Sequence, residues 1–300
     1  MSSIVTAIDL GSNSFRVLKY DFAQDISLGE FECTVGTADG LAQTGIISNE
    51  AVDRIIEAIG QSLQKIEFIP SDAIAVTTSA MRQAKNSLEV IERIFEATGV
   101  KFHIIDGTKE ARYTLQGLQY ALKKRQYDNE NFILCDIGGG STELIFVIDQ
   151  QNYFKSFEIG IVTLTQSNHK EQIIQNYFDE INLFIQTHKF DLSQSTLIAT
   201  AGTPTTIAAL KHGLNYVTYD KNIINGTVVT LEDLIFYKKF LLSISKEEAE
   251  RLTGTNRSQY IVSGIDIFIQ VYNILGKNQS IVFDEGLREG VAVAWHEGNL

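Results

Sequence analysis

Three hundred residues, 44% hydrophobic and 21% charged, suit a globular protein of one large domain or two of about 150 residues each. A net charge of −12 argues against non-specific nucleic-acid binding, which wants a basic face. No window reaches the roughly 18 consecutive apolar residues that span a bilayer, and the N-terminus lacks a basic stretch followed by an apolar one, so the expected location is cytoplasmic, with neither nucleic acid nor membrane as partner.

In chain order, Ile4-Val5-Thr6-Ala7-Ile8 and Phe15-Arg16-Val17-Leu18 predict strands over 4–9 and 14–20, joined by Asp9-Leu10-Gly11-Ser12-Asn13-Ser14. A third strand is expected over 26–36. Ala51, Ile55, Ile56, Ile59, Leu63 and Ile66 recur at helical spacing and predict a helix over 49–68. A short strand, 73–77, opens onto Thr77-Thr78-Ser79-Ala80-Met81-Arg82, and a helix through Leu88, Ile91, Ile94 and Phe95 stops at Gly99. After a strand at 102–105, Asp106-Gly107-Thr108 caps a helix to about Lys123. The charged, aperiodic KKRQYDNE (123–130) is the expected domain connection. The pattern then restarts: strands over 132–136, 143–149 and 153–159, helices over 161–167 and 169–188, a strand over 197–201 and a helix over 205–212. Helices over 231–242, 246–253 and 257–275, a strand over 279–283 and a helix over 286–297 complete it. The order βββαβαβα is largely repeated with helical insertions, a duplication of topology rather than of residue identity.

The repeat includes its turns. Asp9-Leu10-Gly11-Ser12-Asn13-Ser14 and Asp136-Ile137-Gly138-Gly139-Gly140-Ser141 each join a strand ending in an acid to a second apolar strand. Such turns expose backbone N–H groups, which bind phosphate oxygens; alone, either could be an ordinary tight turn. Asp136 precedes three glycines, where backbone can approach a ligand closely. By strand alternation Glu143 and Ser141 face one side, and a glutamate beside a phosphate loop suits a metal or a nucleophilic water. Glu110 lies in a helix's first turn, where the dipole alone would favour an acid. Arg82 is the best placed of Arg16, Arg82 and Arg112 to bind phosphate with two parallel hydrogen bonds. Gly202-Thr203-Pro204-Thr205-Thr206 could receive an anion at a helix start or be a plain cap. Cys33 and Cys135 read as buried thiols, and the five scattered histidines as structural.

AIDLGSNSFR (7–16), TTSAMRQA (77–84), IDGTKEAR (105–112), CDIGGGSTEL (135–144), AGTPTT (201–206) and DEGLREG (284–290) together resemble the exopolyphosphatase/guanosine pentaphosphate phosphatase (Ppx/GppA) family, of the actin/sugar-kinase/Hsp70 superfamily. The resemblance implies an α/β fold of two ribonuclease-H-like, actin-like ATPase domains, with mixed five-stranded sheets flanked by helices and an active-site cleft between them. The domains would be 1–124 and 125–285, with the last helix, about 286–300, packing back on the first. It implies Mg²⁺-dependent hydrolysis of the terminal phosphoanhydride of inorganic polyphosphate or guanosine pentaphosphate, with guanosine tetraphosphate a further ligand. Glu110 would act as or position the base, and Glu143 would hold the attacking water or the metal. Asp136 would be a metal ligand, Arg82 would bind the terminal phosphate, and Ser12, Asn13, Ser14 and Gly138, Gly139, Gly140, Ser141 would form the phosphate loops. Gly202 and Thr203 would contact a distal part of the ligand, although AGTPTT departs from the family's more usual GxSGT-type turn. The two glutamates, from opposite domains, would meet on cleft closure, coupling water attack to binding. Long family members carry further helical domains that grip long polymers; a 300-residue chain of charge −12 favours short polyphosphate or a guanosine nucleotide. The rival expectations are a small-molecule kinase of the same superfamily and a non-catalytic nucleotide-binding switch. A homodimer stays open.

Overall fold

The computed structural model describes residues 3–127 and 130–299. Asp128 and Asn129, within the expected connection, lie outside the described residues. The chain divides into two compact units, Met1–Tyr127 with Glu285–Leu300, and Asp128–Asp284.

In the first unit β1 (Ile4–Leu10), β2 (Ser14–Asp21) and β3 (Ile26–Thr34) form a meander. Helices α1 (Leu41–Thr44) and α2 (Asn49–Ile66), strand β4 (Ile74–Thr77), helices α3 (Ser79–Gln83) and α4 (Ser87–Thr98), strand β5 (Phe102–Ile104) and helix α5 (Gly107–Lys124) follow. The sheet order is β3-β2-β1-β4-β5, with β1–β2 and β2–β3 antiparallel and β1–β4 and β4–β5 parallel. Both faces of β1 are buried, the mark of a strand with helices on each side of its sheet. Local chemistry fixes the helix starts: the Ser48 hydroxyl accepts from the Ala51 N–H at α2, and the Asp106 carboxylate accepts from the Lys109 N–H at α5.

The second unit holds β6 (Phe132–Ile137), β7 (Thr142–Ile148), β8 (Gln151–Phe157), α6 (Ile161–Gln166), α7 (Lys170–His188), β9 (Thr196–Thr200) and α8 (Gly202–Lys211). It continues with α9 (Lys221–Ile224), β10 (Thr227–Thr230), α10 (Leu231–Ser243), α11 (Lys246–Thr253), α12 (Ser258–Leu275) and β11 (Gln279–Val282). Its order is β10-β11-β9-β6-β7-β8. Read from β8 to β11, five strands reproduce the first sheet in order and direction. The expected five-stranded sheet is therefore corrected to six. The extra strand, β10, pairs antiparallel to β11 at the edge; its four residues are too few to show a period.

The helix that follows β11, α13 (Leu287–His296), belongs to the first unit. Leu287, Val291, Ala292 and Ala294 share a core cluster with Val5, Ala7, Leu18, Val76, Ile105 and Tyr113. Close approach of α13 to α5 depends on Gly290, because a Cβ there would collide with the Tyr113 carbonyl.

The β2–β3 turn is tied to α5 by Asp25, which accepts from the hydroxyls of Tyr20 and Tyr120 at 2.5 Å each and pairs with Lys124 at 3.0 Å. Burial would raise the Asp25 carboxyl, but the Tyr120 and Tyr20 hydroxyls and the Lys124 ammonium outweigh it and hold it at about 2 against an unperturbed 3.8. A depressed folded-state value stabilises above the unfolded one and is lost as pH falls through the folded one. Asp25→Asn should therefore melt slightly lower than the parent at neutral pH, and the gap should close between 3.8 and about 2. Melting curves against pH check this; a gap that persists at the acid end contradicts it.

Candidate active site

The two hairpin turns close with the same hydrogen bond. Gly11 donates its N–H to the Ser14 carbonyl, and Gly138 donates to the Ser141 carbonyl, both at 2.9 Å. Ser12, Asn13, Gly140 and Ser141 are buried. The hydroxyl of Ser12 and the side-chain oxygen of Asn13 have no hydrogen-bond partner among the described residues, which is uncommon for buried polar atoms and leaves them able to bond a water or a ligand.

Because the turns match, so do the strand positions beside them, and here the units differ. In the first, Asp9 sits opposite Arg16, and Arg16 opposite Glu32. Arg16 Nη2 lies 3.3 Å from Glu32 Oε1, so charge alternates across the row. In the second, Asp136 sits opposite Glu143, and Glu143 opposite Ser156. The Ser156 hydroxyl donates to Glu143 Oε1 at 2.6 Å. The equivalent of Asp9–Arg16 is thus a pair of carboxylates, with Glu143 only 1% exposed. Like charges directly opposite on one sheet face repel, and a divalent cation relieves that repulsion. Mg²⁺ takes one or two protein carboxylates and fills its remaining positions with water and substrate phosphates, so Asp136 and Glu143 fit it without a third ligand. Burial first, and then the charges of Asp136 and Glu143, push the Cys135 thiol well above its ordinary value, so Cys135 is a neutral, inert core residue. Cys33 is also free and half-buried.

In the first unit, β4 ends at Thr77, whose hydroxyl donates to the Leu10 carbonyl at 2.8 Å and so joins this strand end to the hairpin. Helix α3 then carries Arg82. Its Nη1 donates to the Ile105 carbonyl at 2.8 Å and to Glu110 Oε2 at 2.7 Å. Glu110 is only 9% exposed. Two residues that the sequence offered separately, a phosphate clamp and a base, are therefore one ion pair. A guanidinium has five N–H groups; with Nη1 engaged, those on Nε and Nη2 remain, and they form an edge that can grip two phosphate oxygens.

The turn after β9 is tighter than its sequence suggests. Helix α8 begins at Gly202, and Thr203 lies inside its first turn, fully buried. A Cβ on Gly264 of α12 would overlap the Thr203 hydroxyl, so that side chain lies against α12, where its Oγ1 is buried without a hydrogen-bond partner among the described residues. Ala201, at φ 73°, ψ −176°, holds a backbone conformation that glycine adopts freely and alanine only under strain. Arg257, 9% exposed, lies against Gly202, where a Cβ would come within 2.6 Å of its Nη2, and it stacks on Tyr216 at 5.8 Å.

Residues 27–298 match the model of the Ppx/GppA phosphatase family. The chain belongs to that family. It is 26% identical over 305 aligned residues to the guanosine-5′-triphosphate,3′-diphosphate pyrophosphatase of Aliivibrio fischeri, an alignment covering 97% of this chain and 59% of that protein. The chain thus spans about three-fifths of that relative's length. It is similar to the crystal structure of the Aquifex aeolicus Ppx/GppA member, with 27% identity, a TM-score of 0.73 and 98% of each chain covered. It is also similar to that of an exopolyphosphatase from Cytophaga hutchinsonii, with 25% identity, a TM-score of 0.82 and 98% of each chain covered. The repeated α/β units are those of the actin-like fold that the resemblance implied.

In this Ppx/GppA chain the motif residues were visible in the sequence and their supports were not. Ser156, the hydroxyl that orients Glu143, sits in an unremarkable strand thirteen residues away. Arg257 follows a Gly-Thr-Asn turn and carries no signal beyond its charge. Strand pairing would have found Ser156; only tertiary packing places Arg257.

Proposed function

We propose that the chain removes the terminal phosphate from a polyphosphorylated small molecule, inorganic polyphosphate or guanosine pentaphosphate, with Mg²⁺ as cofactor. The observation that carries this reading is the register-equivalent substitution of Asp136–Glu143 for Asp9–Arg16, in a chain of the Ppx/GppA family. Two phosphate turns alone would serve a kinase or a nucleotide-binding switch equally well. A carboxylate pair at the second turn and a buried glutamate in the first unit are residue types that transfer to water calls for, in charge neutralisation and in accepting the water's proton.

In this reading the turns at Ser12, Asn13, Ser14 and at Gly138, Gly139, Gly140, Ser141 hold phosphoryl oxygens through backbone N–H groups. Arg82 grips the terminal phosphate with Nε and Nη2. Glu110 orients a water and takes its proton as the water oxygen bonds to phosphorus. The bond from phosphorus to the bridging oxygen breaks, and that oxygen leaves on the shortened chain, with orthophosphate as the other product. Asp136 and Glu143 would hold the cation, which when bound neutralises charge on the phosphates.

The test measures orthophosphate released from guanosine pentaphosphate and from inorganic polyphosphate, with Mg²⁺ and with chelator. Release should require Mg²⁺ and need no acceptor but water. Turnover that appears only with an added hydroxyl acceptor would instead mark a kinase. Binding of both compounds with no release would mark a switch.

A further inference from the structure

In each unit the phosphate turn is held from behind by the segment that follows the third strand. In the first unit this segment is 35–40. Val35 and Gly36 donate their N–H groups to the Asn13 carbonyl at 2.9 Å each, and Ala38 donates to the Ser12 carbonyl at 2.8 Å. The segment is itself tied down by one side chain. Arg54, on α2, donates from Nε to the Val35 carbonyl at 2.6 Å, and from Nη2 to the Gly36 carbonyl at 3.2 Å and to Asp39 Oδ2 at 3.0 Å. In the second unit the first turn of α6 takes the same place using backbone: Ile161 donates to the Gly138 carbonyl at 3.0 Å and Val162 to the Gly139 carbonyl at 2.8 Å.

Peptide geometry carries these contacts through to the other side of the turn. In a trans peptide the C=O and the following N–H point in opposite directions. Holding the Ser12 carbonyl toward the segment therefore aims the Asn13 N–H away from it. The side-chain oxygens of Ser12 and Asn13, and the hydroxyl of Thr37 in the segment itself, are buried without a hydrogen-bond partner among the described residues. The turn is thus a set of fixed polar groups in excess of what the protein consumes.

We infer that Arg54 is a positioning residue for the first phosphate turn. Its Nε and Nη2 are spent on the segment behind the turn. By clamping 35–39 it holds the Ser12 and Asn13 carbonyls, and so holds the Asn13 N–H at the angle at which it meets a phosphoryl oxygen. The Arg54–Asp39 ion pair is not the reason for the arrangement: its side chains are 41% and 43% exposed, and such pairs contribute little. The carbonyl contacts are what the guanidinium fork supplies, and one ammonium cannot make them all. The inference rests on the phosphatase reading, which names the ligand.

The experiment compares the parent with Arg54→Met, Arg54→Lys and Arg93→Met. Arg93, paired with Asp53 and Asn49, is a surface arginine whose partners lie on α2 rather than on the turn or on 35–40. Orthophosphate release from guanosine pentaphosphate gives KM and kcat, and calorimetry gives the affinity for inorganic tripolyphosphate independently of turnover. Arg54→Met should raise KM and weaken tripolyphosphate binding about tenfold, the loss of one well-aimed hydrogen bond to a charged group. It should leave kcat within about threefold, because the water-activating glutamate is elsewhere. Arg54→Lys should recover part of the affinity, and Arg93→Met should match the parent. Tripolyphosphate affinity unchanged in Arg54→Met overturns the inference, as does a joint fall of kcat and melting temperature with no rescue by lysine. The two readings fail separately. A parent that binds tripolyphosphate but releases no phosphate refutes the phosphatase reading and still tests Arg54. A parent that binds no tripolyphosphate refutes both.

Discussion

Glu110→Gln should lower kcat for phosphate release by about two to four orders of magnitude, the usual worth of a positioned general base, while leaving the melting temperature unchanged. The substitution is nearly isosteric, and the amide oxygen can still accept from Arg82 Nη1, which also keeps its bond to the Ile105 carbonyl. What is lost is the charge and the basicity. The ion pair makes this variant discriminating. If Glu110 serves only to tether Arg82, the glutamine preserves the tether, and kcat stays within about threefold. If Glu110 is the base, kcat collapses. KM stays level or falls, because a guanidinium no longer neutralised by a carboxylate attracts phosphate more strongly. Steady-state phosphate release with thermal melting separates the two, and a near-parental kcat would remove Glu110 from the chemistry. Arg82→Lys complements it: a point charge cannot present the two-pronged edge, so its effect should fall mainly on KM.

The pairing of Arg82 with Glu110 also shows what the sequence could and could not convey. Both residues stand out locally, one after a strand-end Thr-Thr-Ser and one in a capped helix start, but they are twenty-eight positions apart. Nothing in a linear pattern says they touch. The parallel β4–β5 pairing, which places α3 and the start of α5 at one end of the sheet, is what joins them. The duplicated topology was legible because turn residues and apolar periods are local. The asymmetry between Asp9–Arg16 and Asp136–Glu143 becomes visible once both turns are aligned and the register counted, since each pair is seven residues apart. β10 was missed because four alternating residues beside a helix cap do not rise above their neighbours.

Two boundary differences are more instructive than the missed strand. The sequence pattern carries β3 to 36 and β8 to 159, whereas the strands end at Thr34 and Phe157. Val35 and Ile159 are apolar and buried, so alternation continues through them. Their surroundings nevertheless leave the sheet: Val35 and Gly36 turn their N–H groups to Asn13, and Ile161 turns its own to Gly138. In the first unit the residues misread as a strand end are those that hold the phosphate turn; in the second the Ile159 N–H turns back to the Phe157 carbonyl, and the holding contacts come just after it, from Ile161 and Val162. A hydrophobicity pattern reports burial and cannot report which acceptor a buried N–H has found.

Gly160→Ala should damage the second turn directly, and more severely than any substitution on the turn's exposed side. Gly160 has φ −138° and ψ 175°, an extended conformation open to any residue, so its backbone does not demand glycine. Its neighbours do: a Cβ would run into the Gly139 carbonyl and come within 2.5 Å of the Gly140 N. These are backbone atoms of the turn itself and cannot swing aside as a flexible side chain would. Alanine gains at most about 0.4–1 kcal/mol by restricting the unfolded chain, against about 1–3 kcal/mol for overpacking a filled site, so the net sign is destabilising. At about 2–4 °C per kcal/mol for a unit of this size, the melting temperature should fall by a few degrees. The effect on turnover should be larger than that loss suggests. The protein can relieve the collision only by moving Gly139 and Gly140, and a displacement of about 1 Å at a group that orients substrate can cost on the order of a hundredfold in rate. Gly60→Ala is the matched control, since a Cβ on that α2 residue meets nothing within 4 Å; it should hold or raise the melting temperature and leave turnover alone. Melting curves and phosphate release measured on both variants decide the matter: a Gly160→Ala protein that melts and turns over like the parent would show that α6 does not set the geometry of the turn.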